Sequence, residues 1–235
     1  MKSTLPGYRS DRELFDLMRE GLFSAVIGDV MDVMGHTRQF LPPEIQPLRD
    51  DMIVVGRAMP VLEADDFGGG EGPGRTGQDL NQPFGLMLRA LDDLKEDEVY
   101  ICSGSSPTYA LWGELMSTAA GNRGAAGAVV NGYSRDTPGI LKLGFPTFSM
   151  GRFAQDQRAR GKVIDFRCTI GFGDVTVRPG NIIFGDLDGV VVIPREIERE
   201  TLEAAWQKAH GEKQVFEAIK GGMGAQEAWD TFGIM

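Results

Sequence analysis

Two residue types that build metal centres and cross-links are nearly missing from this chain: it has two cysteines and two histidines in 235 residues. Cys102 and Cys168 lack the close spacing of a metal site and both fall in strand-like runs, which predicts buried free thiols and no disulfide framework. His36 and His210 are too few and too scattered to suggest a histidine-ligated metal. Long apolar runs are missing as well. GVVVIP is typical of the longest stretches, far short of the roughly 20 residues that cross a bilayer, so no membrane association is expected. Positive charge is in deficit: 24 Lys and Arg stand against 34 Asp and Glu, a formal net charge of −10. That balance argues against a nucleic-acid groove, which needs a basic surplus, but leaves room for a small anion held by a few local cations. The opening MKSTLPGYRSDRELF turns charged before any apolar region forms, which predicts no signal peptide and a cytoplasmic protein.

What is present is enough for one core. Hydrophobic residues make up 42% of the chain, and no linker or internal repeat interrupts it. A single domain over 1–235 is expected, with N-terminal helices in 11–35, a core in 50–195 and a helical region in 196–232. SAVIGDVMDV spaces Ile27, Val30, Val33 and Met34 at helical intervals behind Ser24, a candidate cap. MIVVGRAMPVL, EVYICSG, GAVVN and FPTFSMG read as strands, and FGLMLRALDDL as an amphipathic helix. Leu111, Leu115 and Ala119, with Trp112, Met116 and Ala120, suggest one helix face. The stretch KVIDFRCTIGFGDVTVRPGNIIFGDLDGVVVIP is almost all strand, broken by RPGN and DLDG turns, and a long charged helix follows Arg195. The alternation predicts an α/β fold with an antiparallel portion and a C-terminal helix. Six glycines between Gly68 and Gly77 mark a long loop, readable as a surface insertion or an active-site lid. No Gly-Lys-Ser/Thr follows them, which excludes a phosphate loop.

The stretch GELMSTAAGNRGAAGAVVNGYSRD carries the chemistry. It opens on Gly113 and Glu114 and closes on Arg135 and Asp136. Arg135 and Asp136 follow the buried strand GAVVN and the Asn131-Gly132 turn, and α/β folds bind ligands beyond the carboxyl ends of their strands. Asp136 before Thr137-Pro138 also reads as a helix N-cap, and Arg135 as the partner of a surface acid. Glu114 begins a helix whose free amides can bind a carboxylate, and it reads equally as a first-turn acid facing solvent. An aspartate for one hard cation, with an arginine for an oxyanion, suits enolate chemistry.

The same residues resemble the RraA-like family, which includes class II 4-hydroxy-4-methyl-2-oxoglutarate / 4-carboxy-4-hydroxy-2-oxoadipate aldolases. Those enzymes carry an acid, twenty residues, then Arg-Asp; here Glu114, residues 115–134, and Arg135-Asp136. GAAGAVVNGYSRD, LGFPTFSMG and GNIIFGDLDGVVVIP match in order, over about Ser24 to Val215. The resemblance implies an α/β sandwich of the swivelling phosphohistidine-domain type, assembled as a homotrimer or a dimer of trimers. It implies Mg²⁺ or Mn²⁺ held by Asp136 and waters, with a 2-oxo acid chelating it. The substrate carboxylate would meet the helix start at Gly113, Leu115 and Met116, Arg135 would stabilise a pyruvate enolate, and Glu114 would orient a metal-bound water. A glutamate from a neighbouring subunit's C-terminal region completes the family site. Glu212, an acid on the stripe Leu202, Ala205, Trp206, Ala209, Phe216 and Ile219, is the candidate, although Gly211 could instead break the helix there. The implied reactions are cleavage of a 4-hydroxy-2-oxo di- or tricarboxylic acid and decarboxylation of oxaloacetate. Arg75 in the glycine-rich loop is a candidate contact for a second substrate carboxylate. This chain departs from the aldolases at one point, Glu114 standing where they carry aspartate. The family's namesake supplies the alternative, a non-catalytic regulator that binds ribonuclease E.

Overall fold

The fold is organised around one long strand, β2 (Val54–Asp65), whose two halves take different partners. The computed structural model describes residues 4–66 and 82–234, so the glycine-rich loop and Arg75 lie outside the described residues. Before β2 come α1 (Asp11–Gly21), α2 (Ser24–Val33) and the short β1 (Gln46–Pro47). After it come α3 (Met87–Asp93), β3 (Glu98–Ser103), β4 (Ala110–Trp112), α4 (Glu114–Asn122), β5 (Gly127–Val130), β6 (Tyr133–Ser134), α5 (Thr137–Leu143) and β7 (Thr147–Ser149). The strand-rich part supplies β8 (Gly161–Phe166), β9 (Ile170–Phe172), β10 (Val175–Val177), β11 (Ile182–Asp186) and β12 (Gly189–Ile193). A 3-10 turn at Arg195–Ile197 leads into α6 (Glu198–Lys220), and α7 (Ala225–Phe232) ends the chain.

The main sheet runs β1-β7-β5-β3-β2-β11-β12, with β8 paired to the far half of β2. The β2, β3, β5 and β7 neighbours are parallel, while β11, β12, β8 and β1 pair antiparallel. The two ends of this order approach each other. Val192 donates to Gln39 O and Leu41 to Val190 O, both at 2.9 Å, and the same segment continues into β1 against β7. The sheet therefore curls into a nearly closed barrel within the mixed α/β fold that the sequence predicts. Its inside is filled by the alternate residues of buried strands, among them Val61, Ile101, Val129, Phe148 and Val192. A second core lies outside, where α1, α2 and α6 cover Val55, Ile182, Phe184 and Val191 with Phe15, Ile27, Leu202 and Trp206. Among the described residues, no helix is long and apolar enough to cross a membrane.

Three local expectations change. Ser24 is the first residue of α2, not its cap; its amide and hydroxyl both donate to Asp186, at 2.7 and 2.6 Å, tying the helix to the β11 end. Leu111 and Trp112 belong to β4, not to a helix, because Trp112 packs against Tyr100 and Phe145 in the core. Leu115, expected on the buried face, is 83% exposed; α4 buries Ala120 as expected, and with it Ser117, which lies outside the expected face. Of the two thiols, Cys102 is buried and Cys168 is half-buried; both are free.

β2 also carries an acid into the interior. Glu63 is 1% exposed and its Oε1 has no hydrogen-bond partner. Burial, and secondly the nearby Asp65 charge, push its pKa up from 4.5 to about 8. The folded chain thus keeps a proton that the unfolded chain releases near 4.5. The stability this contributes is complete below that value and is lost as the pH rises to about 8. The slope in that window is at most about 1.4 kcal/mol per pH unit. Glu63→Gln, which keeps the shape and cannot ionise, should flatten the fall in Tm between pH 5 and pH 8. Parallel Tm–pH curves for the two proteins would show that Glu63 is charged in the fold.

Candidate active site

A small parallel pair, β4 with β6, lies beside the barrel and ends in two helix starts. The Arg135 amide donates to Trp112 O at 2.9 Å, so the chain after β6 leaves next to the chain after β4. Gly113 is the residue before α4, and Asp136 the residue before α5. Glu114 and Arg135-Asp136, separated by twenty residues in sequence, are brought to one place by this pairing.

The two helix starts interlock through two missing side chains. A Cβ on Gly113 would sit 2.9 Å from Asp136 Oδ2 and 3.5 Å from Arg135 Cγ. A Cβ on Gly139, in the first turn of α5, would strike the Glu114 carboxyl group. Each acid thus lies over the other helix's glycine. Neither extended backbone at Gly113 (φ −156) nor the helical setting of Gly139 requires glycine; the close approach does.

Asp136 occupies the capping position, as its sequence suggests, but not the capping role. Its backbone is left-handed, φ 55 and ψ 32, and its side chain makes no capping hydrogen bond. A non-glycine residue held there costs energy, less for an aspartate than for most side chains. The consequence is a half-exposed carboxylate turned toward Arg135 and Gly113. Arg135 Nε lies 3.4 Å from Asp136 Oδ2, and Arg135 Nη1 lies 3.3 Å from Asp156 Oδ1. Both contacts are long, so the guanidinium is oriented between two acids without being locked to either.

The amide donors are in place too. Ser117 N donates to Gly113 O at 3.0 Å, the first bond of α4, and its hydroxyl holds the Trp112 indole N–H at 2.7 Å. The N–H groups of Glu114, Leu115 and Met116 precede that bond and find no partner within the helix. They are the donors that a carboxylate would meet.

Two clefts flank Arg135 and Asp136. One, of about 300 Å³, runs between α3 and α4 and includes Gly113, Leu115 and Met116. The other, of about 340 Å³, lies toward Pro138, Arg152 and Phe153. Asp156 and Arg152 are residues that sequence reading missed. Each follows β7 in an irregular segment without periodicity, and only its bridges to β4 and β6, Asp156 to Ala110 and Arg152 to Ser134, bring it here.

Among the described residues no group of three or more His, Cys, Asp or Glu converges as a ligand set. The acids offered are Asp136, with Glu114 one helix start away and Asp156 on the other side of the Arg135 guanidinium. That set fits a hard cation that keeps most of its waters and takes one carboxylate from the protein, and it does not fit zinc, which wants three or four protein ligands. Glu212 is not part of this grouping within the chain. It lies on α6, which continues through Gly211 without a break, and its carboxylate is 3.1 Å from Lys208 Nζ. Lys208 also pairs with Asp29 of α2. Phe216, expected in the buried stripe, is 62% exposed, and Val215 is buried in its place. His210 is structural: its Nδ1 lies 2.8 Å from Trp206 O and its ring rests on the Trp206 indole.

Known proteins share this arrangement of sequence and fold. A protein of Halalkalibacterium halodurans named "Putative 4-hydroxy-4-methyl-2-oxoglutarate aldolase" is 33% identical over 138 residues, 58% of this chain and 65% of that one. Protein DlpA of Legionella pneumophila is 25% identical over 212 residues, 89% of this chain. This chain spans 32% of DlpA's length, and just under two thirds of the former relative's. The crystal structure of Streptomyces coelicolor RraAS2, described as an unusual member of the RNase ES inhibitor RraA protein family, superposes with a TM-score of 0.72. Its identity is 21%, and the match covers 91% of this chain and all of that one, a likeness of fold. The family model described as RraA-like, Aldolase/RraA, matches residues 24–192, and the chain is a member of the RraA-like family.

Proposed function

We propose that this protein is a divalent-metal-dependent carbon–carbon lyase that cleaves a 2-oxo acid through a pyruvate enolate. The observation that carries the reading is the interlock of α4 and α5, which brings the α4 helix-start amides, the Glu114 and Asp136 carboxylates and the Arg135 guanidinium to two adjoining helix starts. In this reading Asp136, with Glu114 through water, would hold Mg²⁺ or Mn²⁺, which would supply Lewis-acid polarisation of the 2-oxo group. The Leu115 and Met116 amides hold the substrate carboxylate. Arg135 faces the oxygen on which charge develops as the bond breaks, and interactions that strengthen with that charge are the ones that lower a barrier. Glu114 orients the water through which the hydroxyl proton of a 4-hydroxy-2-oxo acid leaves and a proton returns to the enolate carbon. Decarboxylation of oxaloacetate passes through the same enolate and needs no proton from a hydroxyl. The names of the aldolase relatives support a 4-hydroxy-2-oxo dicarboxylic acid as substrate, and a tricarboxylic one belongs to the same reading. The swivelling-domain type of fold belongs to the same reading. So does assembly as a homotrimer or dimer of trimers, with Glu212 of a neighbouring copy approaching the site. The apolar side chains that α6 and α7 leave exposed, Phe216 and Trp229, support an interface between copies.

Pyruvate formation from oxaloacetate should require Mg²⁺ or Mn²⁺, stop with EDTA, and return when the metal is restored. Turnover that persists through chelation and dialysis would remove Asp136 from the role of metal ligand. The second reading, a non-catalytic binder of ribonuclease E, draws on the RraAS2 likeness and the same exposed apolar helices. Inertness toward every 2-oxo acid, together with slowed ribonuclease E cleavage, would favour it.

A further inference from the structure

The cleft of about 300 Å³ that opens on Arg135 and Asp136 is walled mostly by apolar side chains beyond the start of α4. Phe84, Leu88 and Leu91 come from α3 and its approach, Leu111 and Trp112 from β4, and Met116 from α4. Arg135 is the one cation among the described residues that line it, and Asp136 and Asp156 already flank that guanidinium. The remaining polar side chain is Gln157, which is 3% exposed and turned to the Met87 sulfur. A second carboxylate carried into this cleft, beside the one that the α4 amides hold, would lose water, meet no further cation among the described residues and face Asp156. An alkyl or aryl group would cover apolar surface that is otherwise wet, including Leu88, which is 59% exposed.

We infer that the substrate is a 4-hydroxy-2-oxo acid whose C4 carries an apolar alkyl or aryl group, seated in this cleft. The inference rests on the lyase reading above and replaces its di- or tricarboxylic substrate with a monocarboxylic one. The bonds balance without a co-reactant. The C4 hydroxyl gives up its proton, the C3–C4 electron pair moves to C3 as the enolate, and C4 leaves as an aldehyde or ketone. A proton returned to C3 completes pyruvate.

The test compares two 4-hydroxy-2-oxo acids, one with a phenyl group on C4 and one with a carboxylate, scored for pyruvate beside oxaloacetate. The phenyl acid should be preferred in kcat/KM by roughly tenfold or more, the range that one apolar group commands in a matched pocket. Leu88→Arg, at an exposed position, should reverse or erase that preference. Binding gives an independent measure: 2-oxo-4-phenylbutanoate and 2-oxoglutarate lack the C4 hydroxyl and cannot undergo this cleavage. With Mg²⁺ present, calorimetry should find the phenyl acid tighter, with a negative heat-capacity change from apolar burial. Oxaloacetate turnover combined with a preference for the carboxylate acid overturns the inference and leaves the lyase reading standing. Loss of that preference in Arg152→Ala would then place the second carboxylate in the other cleft. No pyruvate from any acid, oxaloacetate included, overturns the lyase reading itself.

Discussion

Arg135→Ala is expected to lower kcat/KM for pyruvate formation from oxaloacetate by roughly 10²–10⁴, the cost of removing one donor from a developing oxyanion. The size follows from the setting of the side chain. It stands between Asp136 at 3.4 Å and Asp156 at 3.3 Å and lines both clefts, so removing it leaves two acids where negative charge must grow. The loss should fall mainly on kcat, because the substrate carboxylate is held elsewhere, by the amides at the start of α4. Arg135→Lys should recover part of the rate, since it restores the charge without the planar fork. Tm should hardly move: Arg135 is partly exposed, and its two ion pairs are long and wet. Steady-state kinetics with a thermal melt settles the point. Near-native kcat in a folded Arg135→Ala protein would take the guanidinium out of the chemistry.

The sequence makes Glu114, Arg135 and Asp136 visible because spacing survives without coordinates: an acid at a helix start, a strand, then Arg-Asp past its end. The strands were legible for a similar reason. Val- and Ile-rich runs such as those of β2, β3 and β12 announce buried strands through composition alone. The curl of the sheet was not legible, because it depends on Gln39–Leu41 pairing with β12 across the whole sheet order, a contact without local signature. Leu111 and Trp112 misled for a related reason. Three apolar residues before a helix fit either period, and the Tyr100 and Phe145 rings that decide the matter are distant in sequence. Asp156 and Arg152 were silent because irregular segments have no period to read. Glycine was the least legible element of the site. Gly113 and Gly139 look like ordinary helix punctuation, and their reason, the carboxylate of the opposite helix lying over each one, exists only in three dimensions.

That interlock gives the sharpest separation of stability from function. Gly139→Ala adds a methyl group on a helix, at a backbone conformation any residue accepts, and should leave stability unchanged or raise it by about 0.5–1 kcal/mol, as Gly to Ala in a helix does, so Tm should hold or rise slightly. The methyl cannot share its place with Glu114, whose carboxyl carbon and Oε2 it would strike. Because the collision involves the far end of a flexible side chain and not backbone, Glu114 swings aside and the helices stay put. If Glu114 moves protons for the reaction, aldol cleavage should then fall by roughly 10²–10⁴, the usual contribution of a positioned acid–base group. Oxaloacetate decarboxylation, which needs no proton taken from a hydroxyl, should fall less. Glu114→Gln should reproduce the loss, and combining the two substitutions should add little, since each removes the same carboxylate from the same place. A Gly139→Ala protein that cleaves at the native rate, with Glu114 displaced in its crystal structure, would assign the proton transfer to another group. Additive losses in the double variant would show that Gly139 serves the reaction by a route separate from Glu114.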